Sequence, residues 1–180
     1  MKGLTLCFSS LIVSFLLVGQ SYSPTDNGSK VHFVIDNFGI GTGGDFTGLS
    51  GSIIFDPANL ANANFDVSVD ASTVNTDVQA RDNHLRRTEY FDVKNYPKLS
   101  FKSTRVTKTN KDGYFYMFGN ITIKGVTKEV NFPFTATLKN GGYFFEGSFK
   151  LNRRDFNVGG NSIALSDELT VTLSIFANKN

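Results

Sequence analysis

The residues that could do chemistry fall into three groups, and the first is a glycine motif. Gly39, Gly41 and Gly44 form G-x-G-x-x-G after the strand-like run VHFVI at 31–35, and Asp66 follows in the place of the motif's acidic residue. This pattern matches the dinucleotide-binding fingerprint. That site also needs a helix directly after the glycines, because the helix N-terminus binds the pyrophosphate. The next residues, FTGLSGSIIF, alternate like a strand, so we expect a glycine-rich loop between two strands and no nucleotide site.

The second group is charged. It comprises the segment RDNHLRR, which contains Arg81, Asp82 and His84, and the segment NRRDF at 152–156. His84 could act as a general base with Asp82 or Arg81, and the arginines could clamp an anionic head group. A metal site needs three or four convergent ligands, and the only histidines are His32 and His84. We therefore expect no metal and no catalytic residue, and we interpret these clusters first as ion-paired scaffold.

The third group is aromatic, with 18 Phe, 6 Tyr and no Trp. Aromatic side chains of this number bring a large apolar area to one domain. In GYFYMF (113–118) both faces of the predicted strand are apolar. One face should line an interior, and the other should be covered by the helix, a partner subunit or lipid. Because ligand pockets are mostly apolar with few polar groups, this surplus indicates an apolar cavity.

The elements that must position these groups are strands, because the dominant pattern is alternation with period two. Eight strands are predicted, at 31–35, 45–57, 64–72, 99–107, 113–124, 130–138, 143–151 and 169–177. Short turns join most of them. We therefore expect an all-β fold, an eight-stranded antiparallel up-and-down barrel, since closure removes sheet edges. A sandwich of two four-stranded sheets is the alternative.

One segment breaks the alternation and predicts the only helix of the fold, at about 77–88. Thr76 to Gln79 matches the capping-box pattern, with Thr76 as the N-cap. We expect the helix to lie over the barrel or to close one end. Val78, Leu85 and Phe91 should anchor it.

The first 23 residues predict a secretory signal peptide. It has three parts: a basic start, then a short apolar stretch that serines interrupt, and finally small residues that allow cleavage after Ser21 or after Ser23. Its removal would take away Cys7, the only cysteine, and leave residues 24–180 as a single domain. The net charge of +2 gives no reason to expect a nucleic-acid partner.

Four longer pieces resemble the YceI-like family of polyisoprenoid-binding, lipocalin-like exported bacterial proteins. They are GGDFTGLSGSIIFDPANL (43–60), VDASTVNTDVQARDNHLRRTEYFDVKNYPKLSF (69–101), ITIKGVTKEVNFPF (121–134) and LNRRDFNVGG (151–160). The resemblance implies a lipocalin-like barrel whose tunnel holds an isoprenoid, a quinone or a similar lipid, in the periplasm, with no catalysis and no other cofactor. The chain departs from the family's usual glycine at Asn157. The family's motif positions are carried over as rim and scaffold: Arg81, Asp82, His84, Leu85, Arg153, Asp155 and Phe156.

The leading hypothesis is thus an exported carrier of an elongated apolar ligand. Alternation places eleven side chains in the expected lining: Phe33, Phe65, Val67, Val69, Phe101, Phe132, Phe134, Phe145, Phe149, Val171 and Leu173. The first alternative is an enzyme, an isomerase or hydrolase that uses His84 with Asp82 or Arg81. The second is an outer-membrane barrel, which Asp66 and Asp70 on the polar face of one strand disfavour. We expect no stable membrane insertion, we leave a homodimer open, and full secretion is the alternative to the periplasm.

Overall fold

The computed structural model describes residues 20–180, so residues 1–19 of the predicted signal peptide lie outside the described part of the chain. The strands of that part are β1 (Ser21–Asn37), β2 (Ile40–Phe46), β3 (Ser50–Ile54), β4 (Asn64–Asp70), β5 (Lys98–Lys108), β6 (Tyr114–Ile123), β7 (Val126–Lys139), β8 (Gly142–Asn152) and β9 (Leu165–Lys179). The helix α1 is Gln79–Leu85, and 3₁₀ turns occur at Leu60–Asn62, Ala71–Thr73 and Arg153–Phe156.

The strands form one closed antiparallel barrel. Each pairs with its neighbour along the chain from β3 to β9, and β9 pairs back onto β1. Both β2 and β3 pair with β1, the first along 31–37 and the second at 21–22, so they share one position around the barrel. The barrel therefore has eight positions, which confirms the predicted fold and excludes the two-sheet sandwich.

The first strand is longer than predicted, and the glycine-rich loop is shorter. β1 starts at Ser21, because the polar run 21–29 continues as a strand through a register shift between Thr25 and Lys30. This start lies before the expected domain start at 24.

The glycines do not form a loop over 37–44, so that part of the prediction is wrong. Only Phe38 and Gly39 make the turn, and Gly41 and Gly44 lie within β2. A Cβ atom at Gly44 would come within 2.5 Å of the Phe33 ring, so glycine there allows β2 to pack closely against a core side chain.

One end of the barrel, which we call the closed end, is filled by aromatic rings. It carries the start of β1, the β3–β4 connection and the turns at 109–113 and 140–141. Phe55, in the β3–β4 connection, is 1% exposed and meets five rings edge-on at centroid distances of 5.2–6.2 Å. Those rings belong to Phe65, Phe115, Phe134, Tyr143 and Phe145. Edge-to-face contacts of this kind suit aromatic quadrupoles and leave little free space.

Segment 71–92 lies over the opposite end of the barrel. We call this end the open end, because aromatic rings do not fill it and the cavity extends to it. α1 spans only 79–85, shorter than predicted, because Asp77 has a φ of +60° and the helix begins after it. Thr76 is not the N-cap: its N–H and its hydroxyl both donate to Asp82 Oδ1, at 2.8 and 2.5 Å. Val78 is 45% exposed and does not anchor the helix, whereas Leu85 and Phe91 pack on a small core cluster of the open end.

The outer surface of the barrel carries charged side chains, and one aromatic ring there is covered by an arginine. Asp66 on β4 forms an ion pair of 3.0 Å with Lys102 on β5, at positions that a lipid-facing barrel would make apolar. On β6, Phe115 and Met117 point inward, while Phe118 points outward under the guanidinium of Arg105. Within residues 20–180, no helix has the length and apolar content needed to cross a membrane.

Candidate functional site

The barrel encloses a cavity of about 490 Å³ that runs from the rings of the closed end to the open end. This volume lies within the roughly 300–1,000 Å³ of small-molecule pockets. The eleven side chains predicted to form the lining all lie on its wall: Phe33, Phe65, Val67, Val69, Phe101, Phe132, Phe134, Phe145, Phe149, Val171 and Leu173. Their placement is therefore observed, and their contact with a ligand stays a prediction.

Other wall residues were missed, and they fall into two kinds. Some lie on strands, on the same face as the predicted ones, and could have been found by extending the alternation: Val31, Ile35, Leu99, Ile121 and Leu169. Others, such as Tyr90 and Ser162, lie in connections that carry no alternation. Only the folded chain brings these to the cavity.

Part of the wall is built by side chains rather than by backbone pairing. The β7–β8 ladder stops at Phe134 and Gly147, next to Pro133, which has no N–H to donate. Beyond that point Phe132 and Phe149 stack across the two strands, with ring centroids 4.7 Å apart. The cavity therefore has a flat aromatic surface along this side.

At the open end, α1 brings Arg81, His84 and Leu85 to the mouth of the cavity. The Arg81 guanidinium is held by Thr76, donating to its hydroxyl at 2.7 Å and to its carbonyl oxygen at 2.8 Å. The His84 ring is exposed and meets the Tyr90 ring edge-on at 4.9 Å. Polar groups thus surround the mouth, while the depth of the cavity is apolar.

Arg153 organises the other side of the mouth from a nearly buried position, with 4% exposure. It donates to the carbonyl oxygens of Val158, Gly160 and Ser166 at 2.9–3.0 Å, and pairs with Asp167 at 2.7 Å. A buried guanidinium that satisfies several carbonyl groups fixes the path of the β8–β9 connection.

The remaining residues of the NRRDF segment have different surroundings. Phe156 is 2% exposed and lines the cavity, whereas Asp155 is exposed to solvent. Asn157 has a φ of +56°, a left-handed conformation that asparagine tolerates. In this cluster, Arg153 is thus the residue that holds backbone carbonyl groups.

The acidic and histidine side chains considered for catalysis or metal binding make other contacts within residues 20–180. Oδ1 of Asp82 accepts from Thr76, and His84 contacts a ring. His32 lies on the outer face of β1, with Nδ1 2.6 Å from Asp45 Oδ1. In the part of the chain described, no three His, Cys, Asp or Glu side chains cluster as metal ligands would.

These features define a class of protein: a closed antiparallel barrel with an apolar internal cavity and a polar mouth. The family model for the YceI-like domain matches residues 22–177, so the chain belongs to the YceI-like family. A relative from Yersinia pestis (strain Pestoides F), named UPF0312 protein, is 35% identical over 138 residues, which is 73% of this chain and 71% of the relative.

Solved structures show the same fold. BcnA from Burkholderia cenocepacia superimposes with a TM-score of 0.79 at 25% identity, covering 84% of this chain and 98% of BcnA. A domain from Saccharophagus degradans, described as polyisoprenoid-binding and implicated in plant cell wall breakdown, gives a TM-score of 0.70 at 15% identity. It covers 88% of this chain and 98% of that domain, and at this identity the likeness concerns the fold alone.

Proposed function

We propose that the protein binds one elongated apolar ligand, an isoprenoid lipid, an isoprenoid quinone or a similar chain, inside the barrel. The observation that carries this proposal is the apolar cavity of about 490 Å³ between the closed end and the mouth. An apolar chain gains roughly 0.8 kcal/mol for each CH₂ group removed from water, so an enclosed apolar wall supplies the affinity. The domain from Saccharophagus degradans that is described as polyisoprenoid-binding shares this fold, and polyisoprenoids belong to the proposed ligand class.

The mouth suggests how such a ligand is oriented. Arg81, His84 and Tyr90 lie at the open end, and rings close the other end. A chain with one polar end would therefore enter tail first and leave its polar end among these side chains. The ligand's own polar groups would then stay hydrated or hydrogen-bonded, which avoids the cost of burying them unpaired.

The same observations favour a binding protein over an enzyme. An enzyme built on His84 would need that ring to point into the cavity beside a partner that orients it. Instead the ring is exposed against Tyr90, and the Asp82 carboxylate is buried against Thr76. Binding and release of an unchanged ligand require neither group to transfer a proton.

The test is mass spectrometry of an organic extract from protein purified without detergent from its native host. We expect a stoichiometric isoprenoid, quinone or acyl chain. An empty extract, followed by no binding when candidate lipids are added back, would overturn the proposal.

A matched pair of variants ties the ligand to the cavity. Val171 lines the cavity, and its neighbour Thr172 is exposed on the outer face. Val171→Trp should fill the cavity and lower bound lipid roughly tenfold, whereas Thr172→Trp should bind like the wild type. The wild-type chain has no Trp, so each variant also carries a single fluorescent reporter. Equal binding by both variants would place the ligand outside the barrel.

We also propose that the protein is exported, with a periplasmic location, and that the signal peptide is cleaved after Ser21 rather than after Ser23. Tyr22 supports this choice, because it is 5% exposed and packs edge-on against Tyr143 at 5.2 Å. Cleavage after Ser23 would remove that ring from the closed end. The intact mass of the protein recovered from the periplasmic fraction tests both points, and a mass that starts at Pro24, or recovery only from the cytoplasm, would contradict them.

A further inference from the structure

Three apolar side chains project into solvent beside the mouth of the cavity. Ile163, Phe38 and Ile40 are 103%, 75% and 71% exposed, the highest values among the large apolar residues of the described chain. Phe38 belongs to the β1–β2 turn, Ile40 is the first residue of β2, and Ile163 belongs to the β8–β9 connection. The N–H of Phe38 donates to the carbonyl of Ala164 at 2.8 Å, which joins the two loops. We call these three residues the apolar tip.

The turn at the apolar tip places an aromatic residue where local conformation disfavours one. Phe38 has a φ of +51° and is followed by a glycine with positive φ. The chain makes the same pair of angles at two other hairpin turns, where Lys124 and Asn140 hold the first position. Such turns favour Asn or Asp there, and bulky residues are uncommon at positive φ. Neither local conformation nor burial explains Phe38, which points to a role outside the fold.

The apolar tip is continuous with the rim of the cavity. Asn37, the residue before the turn, pairs with Leu165, and both line the cavity. Ser162, next to Ile163, also lines it. A surface that contacts the tip would therefore face the mouth directly.

We propose that the apolar tip inserts into the surface of a lipid bilayer and holds the mouth of the cavity against the membrane. This rests on the proposed function, because a lipid could then pass between bilayer and barrel without crossing water. Hairpin pairing preforms the part of the tip at Phe38 and Ile40, and the hydrogen bond from Phe38 to Ala164 ties the loop of Ile163 to it. A second copy is the weaker candidate, since three projecting side chains bury much less than the roughly 1,200–2,000 Å² of a stable protein interface.

The charges near the tip specify the kind of membrane contact. The stretches NFGIGT (37–42) and SIAL (162–165) contain no charged residue. Attraction should therefore come from apolar burial rather than from anionic lipid head groups. We expect binding to neutral phosphatidylcholine vesicles, with little change between low and high salt.

The experiment is flotation of the purified protein with neutral phosphatidylcholine vesicles. Phe38→Asn suits the turn, so the fold should be as stable as the wild type, yet the vesicle-bound fraction should fall roughly tenfold. Ile163→Asn should act in the same direction. Leu138→Asn is the matched control: Leu138 is 68% exposed but lies at the closed end, and its loss should leave vesicle binding unchanged.

Two further readouts separate this proposal from the proposed function. Phe38→Asn should keep the lipid content seen by extraction and mass spectrometry, but should take up lipid from vesicles more slowly. A wild type that carries lipid yet does not float overturns the membrane contact and leaves the carrier intact. An equal loss of binding in Leu138→Asn also overturns it. So does a wild-type dimer that Phe38→Asn dissociates, with no flotation of either protein, because the tip would then be a contact between copies.

Discussion

The closed end and the open end of the barrel use aromatic side chains in opposite ways. At the closed end, the rings around Phe55 meet edge-on and fill the interior. Towards the open end, rings such as Phe132 and Phe149 line a wall and face empty space. The residue type is the same, so composition alone does not distinguish packing from binding. A connection crosses each end of the barrel. The β3–β4 connection places Phe55 among the rings of the closed end, whereas the β4–β5 connection lies over the open end without filling the cavity.

The two ends are also held together by different interactions. Packing of rings stabilises the closed end, whereas hydrogen bonds from two arginines to backbone carbonyl groups hold the segments at the mouth. Arg86 donates to the carbonyl oxygens of Ser72 and Val74, and Arg153 does the same for the β8–β9 connection. Directional bonds can fix a loop without filling the space beneath it, which is what an accessible cavity requires.

The largest expected effect comes from removing a ring at the closed end. Phe55→Ala should lower the free energy of unfolding by about 3–5 kcal/mol, because it leaves a cavity among five rings. Phe149→Ala removes the same atoms from a wall that already faces empty space, so we expect roughly 1–2 kcal/mol. Chemical denaturation of both variants measures the difference. Equal losses would mean that the two ends are packed alike.

The second effect concerns the mouth. Arg153→Met should cost about 3 kcal/mol, because the buried carbonyl groups that it satisfies lose their donors. Hydrogen exchange should speed up in residues 158–166 and stay slow around Phe55. Arg154→Met, at a more exposed neighbour, is the control and should change stability by less than about 0.5 kcal/mol. Faster exchange throughout the barrel would show that the two ends do not open separately.

The contrast between the ends also marks how far the sequence could predict the structure. Alternation placed Phe65, Val67 and Val69 on the cavity wall, since each strand exposes one face to the interior. It also placed Phe55 on a face of the predicted strand 45–57, but Phe55 sits beyond the end of β3 and contacts rings distant in sequence, which alternation could not predict. Arg153 was predicted as a scaffold residue, but its partners were not, because its acceptors are backbone carbonyl groups that have no sequence signature.

A smaller effect is expected at the helix of the open end. Asp82→Asn should cost about 1–2 kcal/mol, since the buried carboxylate accepts two hydrogen bonds from Thr76. We also expect the variant to release its ligand faster, because Thr76 holds Arg81 at the mouth as well. Asp155→Asn, at an exposed position, provides the control for the change of charge. Equal ligand release rates in Asp82→Asn and Asp155→Asn would mean that α1 does not control the mouth of the cavity.

The last effect is specific to the closed end and is absent near neutral pH. It is a loss of folding stability at alkaline pH. Burial raises the pKa values of Tyr22 and Tyr143 above the usual value, with further contributions from Asp56 and, for Tyr22, from Tyr143. The folded state therefore retains protons that the unfolded chain releases at about pH 10. This stability is complete below that pH and is lost as the pH rises through the folded-state pKa values.

Denaturation curves measured between neutral pH and strongly alkaline pH test this sign. The wild type should lose stability above about pH 10, and Tyr22→Phe with Tyr143→Phe should make the loss shallower, because neither ring can then ionise. Lysine deprotonation occurs in the same range but is common to both proteins, so it cancels in the comparison. An unchanged slope would show that the tyrosines ionise as freely in the fold as in the unfolded chain. In that case the closed end would admit water, and the cavity would be open at both ends.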